Sequence, residues 1–129
     1  AFPMIVAANL TKNTYTMIKD DRFLANDMPS SGKYDDLIDV GLENIHPNYQ
    51  RAFLDNFSRE RLLQMLGQGR KEVCVKLYQK GRGDYYQWVS THVIRVKDKD
   101  GDVCHICINK VLDECSSCGE QQRVCRAPY

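Results

Sequence analysis

"EVCVKLYQKGRGDYYQWVSTHVIRVKDKDGDVCHICINKVL", residues 72–112, sets the architecture. Three runs rich in Val, Ile, Tyr, Trp and Thr, at 72–80, 85–97 and 103–112, alternate apolar and polar side chains as half-buried strands do. Gly81-Arg82-Gly83 separates the first two. Asp100-Gly101, the strongest short hairpin signal, separates the last two. The stretch predicts a three-stranded antiparallel meander.

Working outward, "MIVAANL" (4–10) and "TYTMIKD" (14–20) flank the turn-like "TKN" and predict a further hairpin. Residues 21–45 are mixed, with "PSSG" as a breaker and "YDDLIDVGLENI" predicting short helical turns at best. Pro47 suits a first helical position, where its missing N–H is not needed. Ser58 is placed to cap "SRERLLQMLGQG", with Leu62 and Leu66 on one face and Gly67 and Gly69 at its end. Two strands, a helical middle and three strands give an α+β fold: a five-stranded antiparallel sheet with helices packed on one face.

The chain has 129 residues, enough for one core, and 43% hydrophobic with 27% charged residues is ordinary for a globular domain. A formal net charge of +1 gives no field for nucleic acid or an anionic membrane. No apolar run approaches the roughly 18 residues of a membrane span. Nucleophile elbow, phosphate loop and HExxH signatures are missing, so a non-catalytic domain is expected. His46 reads as a backbone cap at a helix start.

Turn arithmetic assigns the sheet faces. A two-residue Asp100-Gly101 turn pairs Arg95 with Ile106 and Val93 with Ile108; a three-residue 81–83 loop pairs Leu77 with Gln87 and Val75 with Val89. One face then collects Val73, Val75, Leu77, Tyr85, Val89 and Thr91, continuing through Val93, Cys104, Ile106 and Ile108, and should be the core. A cavity between the 58–69 helix and this face is a candidate ligand pocket, lined by Leu62, Leu66, Val75, Val89 and Ile106; its own side chains filling it is the alternative. The opposite face carries Tyr86, Trp88 and Ile94 as interface candidates, together with His92, His105 and Cys107. Its aromatic, acid-poor composition suits a partner or a second copy, unless the chain termini fold over it.

Six cysteines are present, five of them within 104–125. This crowding suits a reducing cytoplasm better than a disulfide framework. Cys104 and Cys107 are three apart in a strand, so they point to opposite faces and cannot share one metal. His92, His105 and Cys107 share a face in this register and could bind a metal, but histidines on half-buried strands are more often packed or hydrogen-bonded, so no metal site is expected. Val111, Cys115, Cys118, Gln122 and Cys125 follow a heptad spacing, an exit-helix seam open to inter-chain oxidation.

The order of elements resembles the PAS domain over residues 4–113. "IHPNYQRAF" (45–53) resembles the segment leading into the long helix of bacterial members. "GDYYQWVSTHVI" (83–94) is similar to their G-x-Y-R-W-V strand, and "KDGDVCHICINKVLDE" (99–114) to the final strand and its D-I-T exit, here reading LDE. "ANLTKNTY" (8–15) resembles the opening hairpin of sensors fused to diguanylate cyclases and histidine kinases. The resemblance implies a sensory and interaction domain over 1–113 and an exit helix or linker over 114–129. It further implies a homodimer and a downstream signalling domain in the same bacterial chain. The flavin motif of light sensors is missing, and the 58–69 helix has no histidine for haem; the cofactor is unknown, with a small molecule possible. The alternatives are a metal- or thiol-redox-responsive regulator using the C-terminal cysteines, or a ligand-free dimerisation module.

Overall fold

The computed structural model describes residues 2–21, 23–24, 27–81 and 83–112. In chain order the elements are β1 (Met4–Asn9), β2 (Thr14–Asp20), β3 (Ser31–Lys33), α1 (Tyr34–Asn44), a 3-10 turn (Pro47–Tyr49), α2 (Gln50–Phe57), α3 (Arg59–Gly67), β4 (Glu72–Lys80), β5 (Tyr86–Val96) and β6 (Cys104–Val111). The strands form one sheet in the order β3-β2-β1-β6-β5-β4, with every pairing antiparallel. The α+β architecture is as expected, with one strand more than five. The short β3 adds itself to the β2 edge through Thr14–Lys33 and Thr16–Ser31 pairing.

One helix exceeds expectation. "YDDLIDVGLEN" forms the full α1, its Tyr34 and Leu37 buried against the sheet. Asp35 and Asp36 lie in its first turn, where carboxylates favour a helix N-terminus. Gly41 weakens helix propensity, but a Cβ there would sit 3.1 Å from the Phe53 ring. The glycine lets α1 and α2 approach, and that packing stabilises a helix that propensity alone disfavours.

The other caps follow the sequence. His46 Nδ1 accepts from the Asn48 amide, and Ser58 Oγ accepts from the Arg61 amide. Two arginines clamp α3: Arg59 donates to the Leu10 and Thr11 carbonyls, and Arg95 donates to the Leu66 carbonyl at 2.6 Å. Leu62 and Leu66 are fully buried between these anchors, over Val73, Val75, Leu77, Val89 and Val93.

The two meander connections depart from the expected lengths. Between β4 and β5, Lys80 pairs with Tyr86, Leu77 with Val89 and Val75 with Thr91. The register is two residues from the expected one, so side chains keep their faces. Of the core set on these two strands, Tyr85 alone leaves it, since it sits in the connection and is exposed. Between β5 and β6, Arg95 pairs with His105 and Val93 with Cys107. That is one residue from the expected register, and it turns all of β6 over.

The cause is tertiary. Asp98 accepts through one carboxylate oxygen from the amides of Asp100 and Asp102, closing a wider turn with Gly101 at φ +81°. Asp102 is drawn sideways to Asn9 Nδ2 at 2.9 Å, with Lys12 at 3.7 Å. Val103 pairs with the β1–β2 turn, donating to Thr11 Oγ1 and accepting from the Leu10 amide. Neither residue is left to continue the hairpin with Lys99.

Candidate functional site

The inversion of β6 decides what faces the helices. Cys104, Ile106 and Ile108, expected in the core, stand on the outer face opposite Val96, Ile94 and His92. His105, Cys107 and Asn109 take the inner face, opposite Arg95, Val93 and Thr91 and beside Ala8, Val6 and Met4 of β1. A histidine and an asparagine are thereby buried in the middle of the sheet, at 1% and 4% exposure.

They line a cavity of about 60 Å³ between the sheet, α1 and α2. Leu37, Ile38 and Phe53 form its helical wall, and Met4, Val6, Phe23, Leu24 and Ile45 flank it without enclosing it fully. The polar end is made by His105, Cys107, Asn109, Thr91 and Gln79 on three adjacent strands. No Lys, Arg, Asp or Glu is in the described lining. The expected pocket residues lie elsewhere: Leu62, Leu66, Val75 and Val89 are packed in the α3 side of the core, and Ile106 is on the other face of the sheet. Leu62 and Leu66 fill the space under α3 with their own side chains, so the open volume lies under α1 and α2.

The polar groups are unequally partnered. Thr91 Oγ1 donates to Asn109 Oδ1 at 2.9 Å, whereas Asn109 Nδ2 among the described residues meets the soft acceptor Cys107 Sγ at 3.7 Å. The Tyr34 hydroxyl donates to the Phe57 carbonyl at 2.8 Å and fastens α1 to the end of α2. The Tyr34 ring stands edge-on to the His105 ring at 5.7 Å. Neither ring nitrogen of His105 has a hydrogen-bond partner among the described residues. Burial lowers its pKa to about 4, with the Ile106 backbone acting more weakly the other way, so the imidazole is neutral at pH 7. Burial pushes Cys107 up to about 12, with the Asn109 contact acting weakly the other way. Cys107 is an inert thiol.

The metal candidate of His92, His105 and Cys107 is not brought together. His92 is on the outer face, its Nε2 at 3.4 Å from Glu72 Oε2, while the other two point inward. Cys104 and Cys107 lie on opposite faces, as their spacing requires. The Cys104 thiol is also raised, by burial first and then by Asp98 and Asp102. Cys115, Cys118, Gln122 and Cys125 fall outside the described residues.

Of the interface candidates, Tyr86 and Trp88 are half-covered by their own chain. His46 donates its amide to the Tyr78 carbonyl, and the 3-10 turn folds over the β4 edge onto the outer face. The Tyr49 ring then meets Trp88 at 5.4 Å, and the His46 ring meets Tyr86 at 4.9 Å. Ile94 lies further along the strand, opposite Ile106.

With this geometry in hand, solved structures provide the comparison. One is a sensory box histidine kinase/response regulator from Burkholderia thailandensis: 13% identity, 94% of this chain and 85% of that one covered, TM-score 0.54. A second is a domain of a light and redox sensing histidine kinase from Haloarcula marismortui, described as putative: 13% identity, 85% and 89% coverage, TM-score 0.55. A third is the N-terminal domain of a diguanylate cyclase with PAS/PAC sensor from Marinobacter aquaeolei: 16% identity, 85% and 93% coverage, TM-score 0.53. The chain has a PAS-like fold. No family model and no curated protein matches it. At these identities the likeness is one of fold, and this PAS-like domain differs in sequence from each of the three at more than four positions in five.

Proposed function

We propose that this PAS-like domain is a non-catalytic sensory module of a bacterial signalling protein, passing ligand occupancy to a downstream domain of the same chain, such as a diguanylate cyclase or histidine kinase. One observation carries the reading. The strand that supplies the polar end of the cavity, β6, is also the strand by which the described chain leaves the sheet. Asn109 lies in the cavity wall, and three residues later the Leu112 amide donates to the Trp88 carbonyl. At roughly 3.3 Å per residue these points are about 10 Å apart along one strand. A ligand that shifts His105 or Asn109 therefore acts on the root of the exit segment directly, provided that it binds the two packings with different affinity.

Sensor domains of such proteins share the fold, which supports the reading. Cys74, Cys104 and Cys107 are free thiols, in keeping with a cytoplasmic setting, and no helix among the described residues is long and apolar enough to cross a membrane. The domain is proposed to self-associate through the outer face at Ile94, with Tyr86 and Trp88 at the margin of that contact. A ligand-free dimerisation module is the second reading, favoured by the half-buried Ile94, Ile106 and Ile108 on that face.

Native mass spectrometry of the protein, with and without reductant, tests both. With the protein sprayed from a solution that holds small metabolites at millimolar concentration, mass lost on denaturation is the expected result. A dimer without added mass, insensitive to reductant, would favour the dimerisation module, and a reductant-sensitive dimer would restore the thiol-redox alternative.

A further inference from the structure

The cavity is amphipathic, and its polar end is incomplete. His105 is 1% exposed, lines the cavity, and has no hydrogen-bond partner for either ring nitrogen among the described residues. A buried imidazole left this way loses the hydrogen bonds it had in water, a cost that a sheet of apolar residues would not incur. Asn109, four residues further along β6 and beyond Cys107 on the same face, keeps one amide donor on a weak sulfur contact. His105 thus leaves donor and acceptor capacity unused on the sheet wall, while Leu37 and Phe53 offer a wall without any.

We propose that His105 anchors a small neutral molecule in this cavity, bearing a hydroxyl or carboxamide head held by the imidazole and a short apolar tail directed at Leu37 and Phe53. The inference rests on the sensory reading and names the chemistry of its input. Size follows from volume: an apolar cavity of about 150 Å³ takes benzene, so about 60 Å³ takes roughly two to four non-hydrogen atoms. Neutrality follows from the lining, which has no charged side chain to balance an ion. A head able to donate or to accept follows from the neutral imidazole, whose nitrogen toward the ligand is an N–H in one tautomer and a bare acceptor in the other. For so few atoms the attainable affinity is about 40 µM at best, and millimolar is ordinary. Such a site answers to abundant metabolites, not to traces.

The test is an NMR titration of the whole chain with acetamide and ethanol. It follows the His105 ring nitrogens, the Met4 methyl and the Leu37 methyls. Sodium acetate is the charged control and xenon the apolar one. Saturable movement of the His105 nitrogens with acetamide, and none with acetate, is expected. His105→Leu should weaken acetamide binding about ten-fold while leaving xenon binding in place, and His105→Gln, which keeps a donor and an acceptor, should restore it. Equal acetamide affinity in His105→Leu would overturn the anchor. Xenon moving the methyls while acetamide and ethanol leave His105 still would make the cavity purely apolar. Ring nitrogens already hydrogen-bonded in plain buffer, and displaced by no probe, would assign the polar end to resident water. The amides of Lys110–Leu112 separate the two levels. If they stay still while acetamide moves His105, the site stands and the sensory reading falls. If they answer to a cell-derived ligand while His105 is silent, the sensory reading stands and this inference falls.

Discussion

The β4–β5 and β5–β6 hairpins lie side by side in one sheet, and turn residues misplace both. The first is off by two residues and the second by one. The larger error leaves every strand side chain on its expected face, because side chains repeat every second residue. The smaller error exchanges the faces of β6 and moves a histidine from solvent to the core. Parity, not distance, decides what a register shift does.

The comparison is broken most directly by truncating one residue on each side of it. Leu77 is buried, and Leu77→Ala should cost about 2–5 kcal/mol in urea denaturation. Ile106→Ala should cost less than half as much, since Ile106 lies on the outer face and is only half-buried. Equal losses would restore the two-residue turn and bury Ile106.

The buried histidine gives the next effect. Its folded pKa of about 4 lies below the 6.5 of the free group, so between these values the unfolded chain binds the extra proton. Stability is therefore retained above about pH 6.5 and lost as pH falls towards 4. The window amounts to about 3 kcal/mol. The background from carboxylates cancels in the difference between the wild-type and His105→Leu stability curves. A difference curve flat from pH 7 to 4 would place His105 in solvent. At pH 7 His105→Leu should itself stabilise the empty domain, by about 1 kcal/mol, because it removes an unpartnered polar group.

A smaller effect probes the turn. Asp98→Ala removes the acceptor shared by the Asp100 and Asp102 amides and should cost about 1–2 kcal/mol. Hydrogen exchange at those two amides should accelerate with it. Unchanged exchange would mean that Asn9 and Thr11 hold the loop without Asp98. Least of all, Ile94→Glu should leave the denaturation midpoint within about 1 kcal/mol and lower the sedimentation coefficient if the outer face pairs with a second copy.

The outer face also shows how far composition reaches. Trp88, Tyr86 and Tyr78 look like an exposed aromatic patch when the strands are read alone. A five-residue segment at 45–49 passes over the β4 edge through the Ile45–Gln79 bridge and covers part of it with His46 and Tyr49. The cap by His46 was legible from "IHP"; the ring's second role against Tyr78 and Tyr86 was not, because it depends on which edge the segment crosses. Likewise the sequence points to a pocket under α3, whose Leu62 and Leu66 are plain in it, whereas the open space lies under α1 and α2, the first a helix that the sequence marks faintly.

By itself the sequence determined the α+β class, the order of five strands around a helical middle, the caps at His46 and Ser58, and the faces of β4 and β5. These depend on periodicity and on neighbours a few residues apart, where local physics is complete. Tertiary structure alone decided the face of β6, and with it the identity of the candidate site. Asp102 is held by Asn9 and Val103 by Thr11, partners more than ninety residues away. No local rule can weigh a turn preference against anchors so distant, and a single residue of slack was enough for those anchors to turn His105 inward.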